Sequence, residues 1–256
     1  MNEAEDTQLY RIRHSLAHVL AQAVLEIRPE AKLGFGPPVD NGFYYDFDLE
    51  DPLSPEDLPV IEKRMKKIIK SRQTFECEEL NGEEMRTRLA EIGQDYKIEQ
   101  VNDLDAEGEI LTLYRNGPFW DLCEGPHVES TAEIPKNCFS LDSLAGAYWK
   151  GSEKNKMLQR VYGTAWESKE EQKKHLDKLE LASKRDHRKL GASLDLFYFD
   201  EFSPAMPFFL PKGTFVMNQL TTYMRDKYDQ YGYEEVITPQ IFSSKLWDLS
   251  GHSSHF

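Results

Sequence analysis

The first apolar pattern in the chain is helical. In the stretch RIRHSLAHVLAQAVLEI the apolar residues recur every three or four positions, as Leu16, Val19, Leu20, Ala23, Val24 and Ile27. This spacing predicts a first helix from about Thr7 to Arg28, ended by Pro29. His14 and His18 lie four residues apart on the same stretch, so both imidazoles are expected to project from one face.

Further patterns predict a mixture of helices and strands. Two helices are predicted from VIEKRMKKIIKSR (60–72) and NGEEMRTRLAEIG (81–93). Strand-like runs are FYYDFDL (43–49), FECEEL (75–80), YKIEQV (96–101), EILTLYRNG (109–117) and FWDL (119–122). The segment GAYWKGSEKNKMLQRVYGTAW (146–166) predicts a hairpin. The fold class expected is therefore α+β, with mixed helices and antiparallel sheet.

The charge pattern changes after residue 166. Residues 167–190 are highly charged with a thin leucine stripe, which predicts a solvated linker helix. Beyond it, a long helix is expected from Gly213 to Tyr231, ended by Gly232. The run YEEVITP then predicts a strand that ends at Pro239.

Three consecutive aromatic residues follow the DNG turn. Phe43, Tyr44 and Tyr45 alternate faces of the predicted strand, so one face is expected in the core while the other lines a pocket. The core interpretation is favoured for Phe43 and Tyr45. Tyr45 is also kept as a candidate substrate-binding residue.

Composition restricts the function classes. With 256 residues, 39% hydrophobic and 30% charged, the chain reads as globular and long enough for two domains. No apolar run approaches the roughly 20 residues of a membrane helix, and no signal peptide is evident, so we expect a cytoplasmic protein without a membrane partner. The three cysteines give no disulfide framework.

The net charge of −14 argues against a nucleic-acid partner but does not exclude one. Affinity for phosphates follows local patches, and two basic clusters exist, KRMKKIIK (63–70) and KRDHRK (184–189). On composition alone, a solvated helix face is the favoured interpretation of each cluster.

The candidate chemistry lies in two distant pairs. Cys123 and His127 bracket a Gly-Pro turn, and together with His14 and His18 they make four ligands, the number that a tetrahedral Zn²⁺ site uses. No Glu follows His14, so the metalloprotease motif HExxH lacks its general base. Whether the four residues bind metal remains open at this point.

HxxxH followed about a hundred residues later by CxxxH resembles the second editing domain shared by threonyl- and alanyl-tRNA synthetases. The runs GPPVDNGFYYDFDL, LAGAYWKGSEKNKMLQRVYGTAW and KRDHRKLGASLDLF resemble the threonyl branch. The resemblance implies an editing domain at 1–166, a helical linker at 167–190 and the start of a class II synthetase catalytic core, an antiparallel sheet, at 191–256.

The resemblance also implies an activity, namely ATP-dependent attachment of threonine to tRNA(Thr) with hydrolysis of mischarged seryl-tRNA(Thr). It assigns His14, His18, Cys123 and His127 to holding either a metal or a water molecule. Asp121 and Lys97 would orient the seryl group, since Lys97 matches a lysine that lines the editing pocket of the family. The alanyl branch uses the same four residues for zinc, whereas resemblance to the threonyl branch implies that they act without requiring a bound metal.

Parts of the family pattern are missing from this sequence. The second and third class II signatures, which bind ATP, and the ligands of the catalytic zinc are expected beyond Phe256. The chain is therefore expected to be an N-terminal piece that cannot activate threonine alone. ATP, Mg²⁺, the catalytic zinc and homodimer formation are expected of the full-length enzyme, with tRNA(Thr) and its threonine and serine esters as partners.

Two other functions remain open from the sequence. One is a stand-alone editing hydrolase of the alanyl type that acts in trans on charged tRNA. The other is a non-catalytic module for tRNA binding or dimerisation.

Overall fold

The computed structural model describes residues 7–252 in two compact units, one up to Asp177 and one from Lys178. The helices are α1 (Gln8–Leu25), α2 (Leu58–Lys70), α3 (Gly82–Glu91), α4 (Asp95–Glu107), α5 (Lys169–Lys184), α6 (His187–Ser193), α7 (Pro211–Gln230) and α8 (Lys245–Leu249). The strands are β1 (Lys32–Leu33), β2 (Pro38–Val39), β3 (Gly42–Asp48), β4 (Phe75–Leu80), β5 (Leu111–Asn116), β6 (Phe119–Leu122), β7 (Phe139–Tyr148), β8 (Met157–Ala165), β9 (Phe197–Tyr198) and β10 (Phe208–Phe209). The α+β prediction is confirmed.

The first unit is built around a five-stranded antiparallel sheet. Its strands run in the order β1-β3-β8-β7, with β2 paired to β3. Helices α1 and α2 pack together, α1 also contacts β3, and α2 contacts β7. The buried apolar side chains of these elements form one core, which includes Leu16, Leu20, Phe43, Phe47 and Ile61. The predicted hairpin at 146–166 is confirmed as part of β7 and β8.

A second, three-stranded antiparallel sheet carries the segment that precedes Cys123. Its order is β4-β5-β6, and helices α3 and α4 contact each other and accompany this sheet. A smaller core formed by Met85, Leu89, Val101, Leu111, Leu113 and Leu122 joins these elements. Asp121 and Leu122 therefore lie at the end of β6, which pairs with β5. Leu122 also packs against α3 and α4 in the smaller core.

Helix α1 is enclosed on all sides. Every residue from Ile12 to Val24 is buried, including the polar Ser15 and Gln22. The Thr7 side chain caps its start by accepting a hydrogen bond from the Tyr10 N–H at 3.2 Å. The helix ends at Leu25, three residues before the predicted end, and the Val24 carbonyl there accepts from both the Ile27 and the Arg28 N–H.

The predicted strand YKIEQV is wrong, because these residues lie within α4. Ile98 and Val101 are three apart and meet the same small core, a helical spacing that was read as alternation. Gly108, with φ of +76°, then ends the helix in the left-handed conformation. Lys97 therefore projects from a helix and not from a strand.

The second unit confirms one sequence prediction and contradicts another. The long helix α7 is followed by Gly232 with φ of +74°, as expected. The predicted strand YEEVITP is wrong, since residues 233–239 form no strand in the described range. Val236 and Ile237 are 77% and 97% exposed, and a strand without a neighbouring strand has no partner for its backbone hydrogen bonds.

The domain limits 1–166, 167–190 and 191–256 stay a prediction. Within residues 7–252, no helix combines the length and the hydrophobicity that crossing a membrane requires.

We predict that Gly42→Ala destabilises the first unit strongly. A Cβ at Gly42 would lie 1.9 Å from the Gly163 carbonyl oxygen of β8, so the central strands would have to separate locally. We expect a loss of about 2–3 kcal/mol in the free energy of unfolding, measured by urea denaturation. Gly146→Ala is the matched control, because its Cβ would meet only the flexible Met157 side chain. Equal losses for the two variants would contradict this packing.

Candidate functional site

The structure brings the two distant residue pairs into one cluster. His14 and His18 project from α1, whereas Cys123 and His127 belong to the loop that follows β6. The four potential ligand atoms all lie within 4.8 Å of one another. We call these four residues the histidine cluster.

The cluster is tightly packed and largely removed from solvent. The Cys123 Sγ lies 3.1 Å from His14 Nε2 and 3.3 Å from His127 Nε2. The ring centroid of His127 is 4.3 Å from that of His14 and also 4.3 Å from that of His18. His18 is 1% exposed and His127 is 7% exposed.

One hydroxyl group fixes the loop against the helix. Ser15 Oγ accepts a hydrogen bond from the Val128 N–H at 3.1 Å and lies 3.2 Å from His127 Nδ1. The Phe75 ring stacks on the His127 ring with centroids 4.9 Å apart. These contacts orient His127 from behind, so its Nε2 faces Cys123.

A buried ion pair lies beside the cluster. Lys97 Nζ donates a hydrogen bond of 2.9 Å to Asp121 Oδ2, and the Tyr45 hydroxyl donates to the same oxygen. The Lys97 and Asp121 side chains are 3% and 4% exposed. Helix α4, strand β6 and strand β3 thus each contribute one of these residues, and both sheets of the first unit take part.

An open cleft of about 390 Å³ joins the two groups. Six of the seven predicted site residues line it, namely His14, His18, Tyr45, Lys97, Asp121 and Cys123. His127 lies behind the lining, where it contacts Cys123 and Ser15. We call this space the histidine cleft.

Sequence reasoning missed other residues that line the cleft. Tyr10 lies four residues before His14 on α1, so helical spacing alone places it on the same face. Gln100 lies three residues after Lys97 on α4, and it was missed because that helix was predicted as a strand. Tyr44 lies on the strand face that was expected to line a pocket, and it lines the cleft together with Tyr45.

Burial controls the protonation of the cluster. It lowers the pKa of His14 from 6.5 to about 4, and it lowers the pKa of His18 and of His127 well below that usual value. The proximity of the imidazoles to one another adds to the effect at His18 and His127. Burial also raises the pKa of the Cys123 thiol to about 12. At neutral pH the metal-free cluster is therefore uncharged.

The donor set fits a zinc ion by type and by proximity. Three imidazoles and one sulfur within 4.8 Å of one another are ligands that Zn²⁺ accepts. Ligating histidines usually hold their second nitrogen by a hydrogen bond, and His127 does so through Ser15. The Nδ1 atoms of His14 and His18 are buried without such a partner in the described part of the chain. The cluster is thus suited to a metal or to a hydrogen-bonded small molecule.

We predict that the metal-free chain loses stability between pH 6.5 and pH 4. The unfolded state binds a proton at His14 near pH 6.5, whereas the folded state resists it until about pH 4. The stability is present above pH 6.5 and is lost as the pH falls. The loss from His14 is about 3 kcal/mol, measurable by urea denaturation at several pH values.

His14→Asn should reduce this loss, because the variant has no proton to bind there. His187→Asn is the control, since its side chain is 84% exposed and should leave the pH dependence unchanged. An identical pH dependence for the His14 variant and the unchanged chain would contradict the account.

Comparisons with known proteins give two findings. The family described as "Threonyl and Alanyl tRNA synthetase second additional domain" matches residues 111–162. The chain is also similar to proteins named threonine–tRNA ligase. It is 49% identical to that of Acetivibrio thermocellus over 244 residues, which are 95% of this chain and 38% of the relative. It is 47% identical to that of Gloeobacter violaceus over 253 residues, which are 98% of this chain and 40% of the relative.

The similarity extends to other bacteria. The chain is 45% identical to the threonine–tRNA ligase of Thiobacillus denitrificans over 245 residues, covering 96% of this chain and 38% of the relative. The chain thus spans about two fifths of the length of the curated relatives it matches.

Proposed function

Since this chain belongs to the threonyl-tRNA synthetase family, we propose that its first unit is an editing hydrolase that removes serine from mischarged seryl-tRNA(Thr). The observation that carries the proposal is the histidine cleft. In it the uncharged cluster and the buried Lys97–Asp121 pair line one open space. The attachment of threonine to tRNA(Thr) with ATP is proposed for the longer protein.

The reaction is the hydrolysis of an ester. A water oxygen bonds to the seryl carbonyl carbon, the bond from this carbon to the ribose oxygen breaks, and serine and tRNA are released. A neutral imidazole of His14 or His18 can accept the proton of the attacking water. A proton from the same imidazole or from Lys97 then reaches the departing ribose oxygen.

The Lys97–Asp121 pair serves to orient the seryl group. Asp121 Oδ2 is held by two donors, Lys97 Nζ and the Tyr45 hydroxyl, so the carboxylate cannot rotate freely. Burial raises the pKa of Tyr45 well above its usual value, and the nearby Asp121 raises it further, so the phenol remains a donor. A fixed set of polar groups at the wall of the cleft can bind the serine hydroxyl or amino group in one orientation.

The need for such a site follows from the chemistry of threonine and serine. A pocket built for threonine rejects serine poorly, because the missing methyl group is worth only about 1–3 kcal/mol. A second, smaller site can exclude the additional methyl group of threonine and hydrolyse only the seryl ester. The histidine cleft is proposed to be this second site.

The role of metal is a separate proposal. If zinc is bound, His14, His18, Cys123 and His127 would hold it as four ligands of a tetrahedral site, so the ion would fix the loop after β6 against α1. Without zinc, the same four residues would position a water molecule by hydrogen bonds.

For the longer protein we propose ATP and Mg²⁺, a catalytic zinc and homodimer formation. Residues 191–256 are proposed to be the start of its class II catalytic core.

The test is the deacylation of seryl-tRNA(Thr) and threonyl-tRNA(Thr) by the purified chain, with and without a chelator. We expect the seryl ester to be lost rapidly and the threonyl ester to survive. Asp121→Asn should reduce the rate of seryl-tRNA hydrolysis about 100-fold, because the orienting carboxylate is lost. Loss of activity with chelator and recovery with Zn²⁺ would assign the metal.

The control for Asp121→Asn is Asp103→Asn, on the exposed side of α4, which should retain the full rate. Circular dichroism establishes that both variants are folded. Equal hydrolysis of the two esters, or of alanyl-tRNA in preference to seryl-tRNA, would contradict the proposed substrate.

A further inference from the structure

A second cleft in the first unit is lined by basic side chains. It measures about 650 Å³ and lies between the last turn of α2 and the segment 132–139. Its basic lining residues are Lys66, Lys70, Arg72 and Lys136, over a floor that includes Ile69 and Phe139. We call it the basic cleft. It shares no lining residue with the histidine cleft.

Three of these cations have no acidic partner. Lys66 is paired with Glu62, but within residues 7–252 no acidic group lies within 4.0 Å of Lys70, Arg72 or Lys136. All three side chains are exposed. The sequence carries a net charge of −14, so the basic cleft is a local reversal of the overall charge.

The dipole of α2 explains only part of this charge. Lys67 and Lys70 lie in the last turn, where cations are favoured near the helix C-terminus. The Lys67, Ile68 and Ile69 carbonyls are already satisfied, because they accept from the Ser71 N–H and hydroxyl and from the Arg72 N–H. Lys136 comes from a different segment of the chain, so the helix dipole does not account for it.

Arg72 stands where glycine is normally favoured. It is the residue after the cap of α2 and has φ of +57°, the left-handed region that costs stability for a residue with a Cβ. Its guanidinium makes no hydrogen bond to any residue in the described range. An arginine kept in such a conformation without a contact that compensates suggests that its side chain serves a ligand.

A short segment of the chain, from Arg72 to Phe75, connects the basic cleft to the histidine cluster. Arg72 lies three residues before Phe75, whose ring stacks on His127, and three extended residues span at most about 11 Å. The intervening segment is fixed, because Gln73 N–H donates to Thr131 Oγ1 at 2.9 Å and Thr131 N–H donates to the Gln73 carbonyl at 2.8 Å. Arg72 and the histidine cluster are therefore a short distance apart in the first unit, as contact with one extended ligand would require.

We propose that the basic cleft binds backbone phosphates of the RNA whose aminoacylated 3′ end lies in the histidine cleft. The proposal rests on the proposed function and names a second contact surface for the same substrate. Each nucleotide carries one negative charge, which lysine and arginine neutralise without regard to sequence. Arg72 can bind a phosphate with two parallel hydrogen bonds. An anionic membrane or an acidic peptide lacks the link to the histidine cluster.

The experiment measures the affinity of the whole chain for unacylated tRNA(Thr) transcript over a series of salt concentrations. The test variant combines Lys70→Gln, Arg72→Gly and Lys136→Gln. The matched control combines Lys154→Gln, Lys173→Gln and Lys174→Gln, three exposed cations elsewhere in the first unit. Both variants change the net charge equally.

We expect the test variant to bind at least tenfold more weakly near 0.1 M salt. The slope of log affinity against log salt should fall by about 2–3, since each phosphate contact contributes roughly 0.7–0.9. The control should change the affinity less than about twofold. Arg72→Gly alone should lower the affinity without lowering the Tm, because glycine is favoured at this φ.

Three results would overturn the proposal. They are equal affinities for the test and control variants, a lower Tm for Arg72→Gly that accounts for its weaker binding, and unchanged tRNA affinity with loss of binding to phosphatidylserine vesicles.

Hydrolysis of 3′-O-seryl-adenosine by the unchanged chain tests the proposed function separately, because this ester has no stem phosphates. If that hydrolysis is absent while the tRNA results hold, the proposed function fails and the phosphate contacts remain.

Discussion

The structure of the first unit depends on the complete burial of α1. Helices at a protein surface bury one stripe, but here every residue from Ile12 to Val24 is enclosed. The apolar residues of α1 pack against α2 and the five-stranded sheet, and its polar residues His14 and Ser15 contact the loop after β6. Because Ser15 contacts both Val128 and His127, the same helix that completes the core also fixes the site.

Burial has an electrostatic cost that the site meets in two ways. The imidazoles of the cluster remain neutral, since burial lowers the pKa of each, and the Cys123 thiol remains protonated because burial raises its pKa. The Lys97 and Asp121 charges are retained as a pair with a hydrogen bond from Tyr45. Removing one member of such a pair typically costs about 3–5 kcal/mol. Neutral bases and one fixed ion pair are a suitable environment for ester hydrolysis.

Much of the site could be predicted from sequence, because its strongest signals are local. The four-residue spacing of His14 and His18 requires only a helix, and the Gly-Pro turn marks the loop of Cys123 and His127. Their convergence could not be derived from spacing, since it depends on how α1 packs against β6. The resemblance to a known family supplied that link, and it also supplied Lys97.

The two wrong strands have separate causes. YKIEQV has too few apolar residues to separate a helical period from alternation, and its burial against α3 and β5 decides the matter. YEEVITP has strand propensity, but no strand in the described range pairs with it. Because α4 was predicted as a strand, Gln100 was not identified as a residue that lines the histidine cleft.

The most direct test of the central claim is the binding of a stable seryl analogue, 3′-deoxy-3′-seryl-amino-adenosine, measured by isothermal titration calorimetry. The account predicts that it binds to the chain, and that the threonyl analogue binds at least about tenfold more weakly because of its additional methyl group. Asp121→Asn should weaken the binding of the seryl analogue, because the carboxylate that orients its hydroxyl or amino group is lost. Equal affinity for the two analogues, or no binding of the seryl analogue, would contradict the claim that the histidine cleft is an editing site.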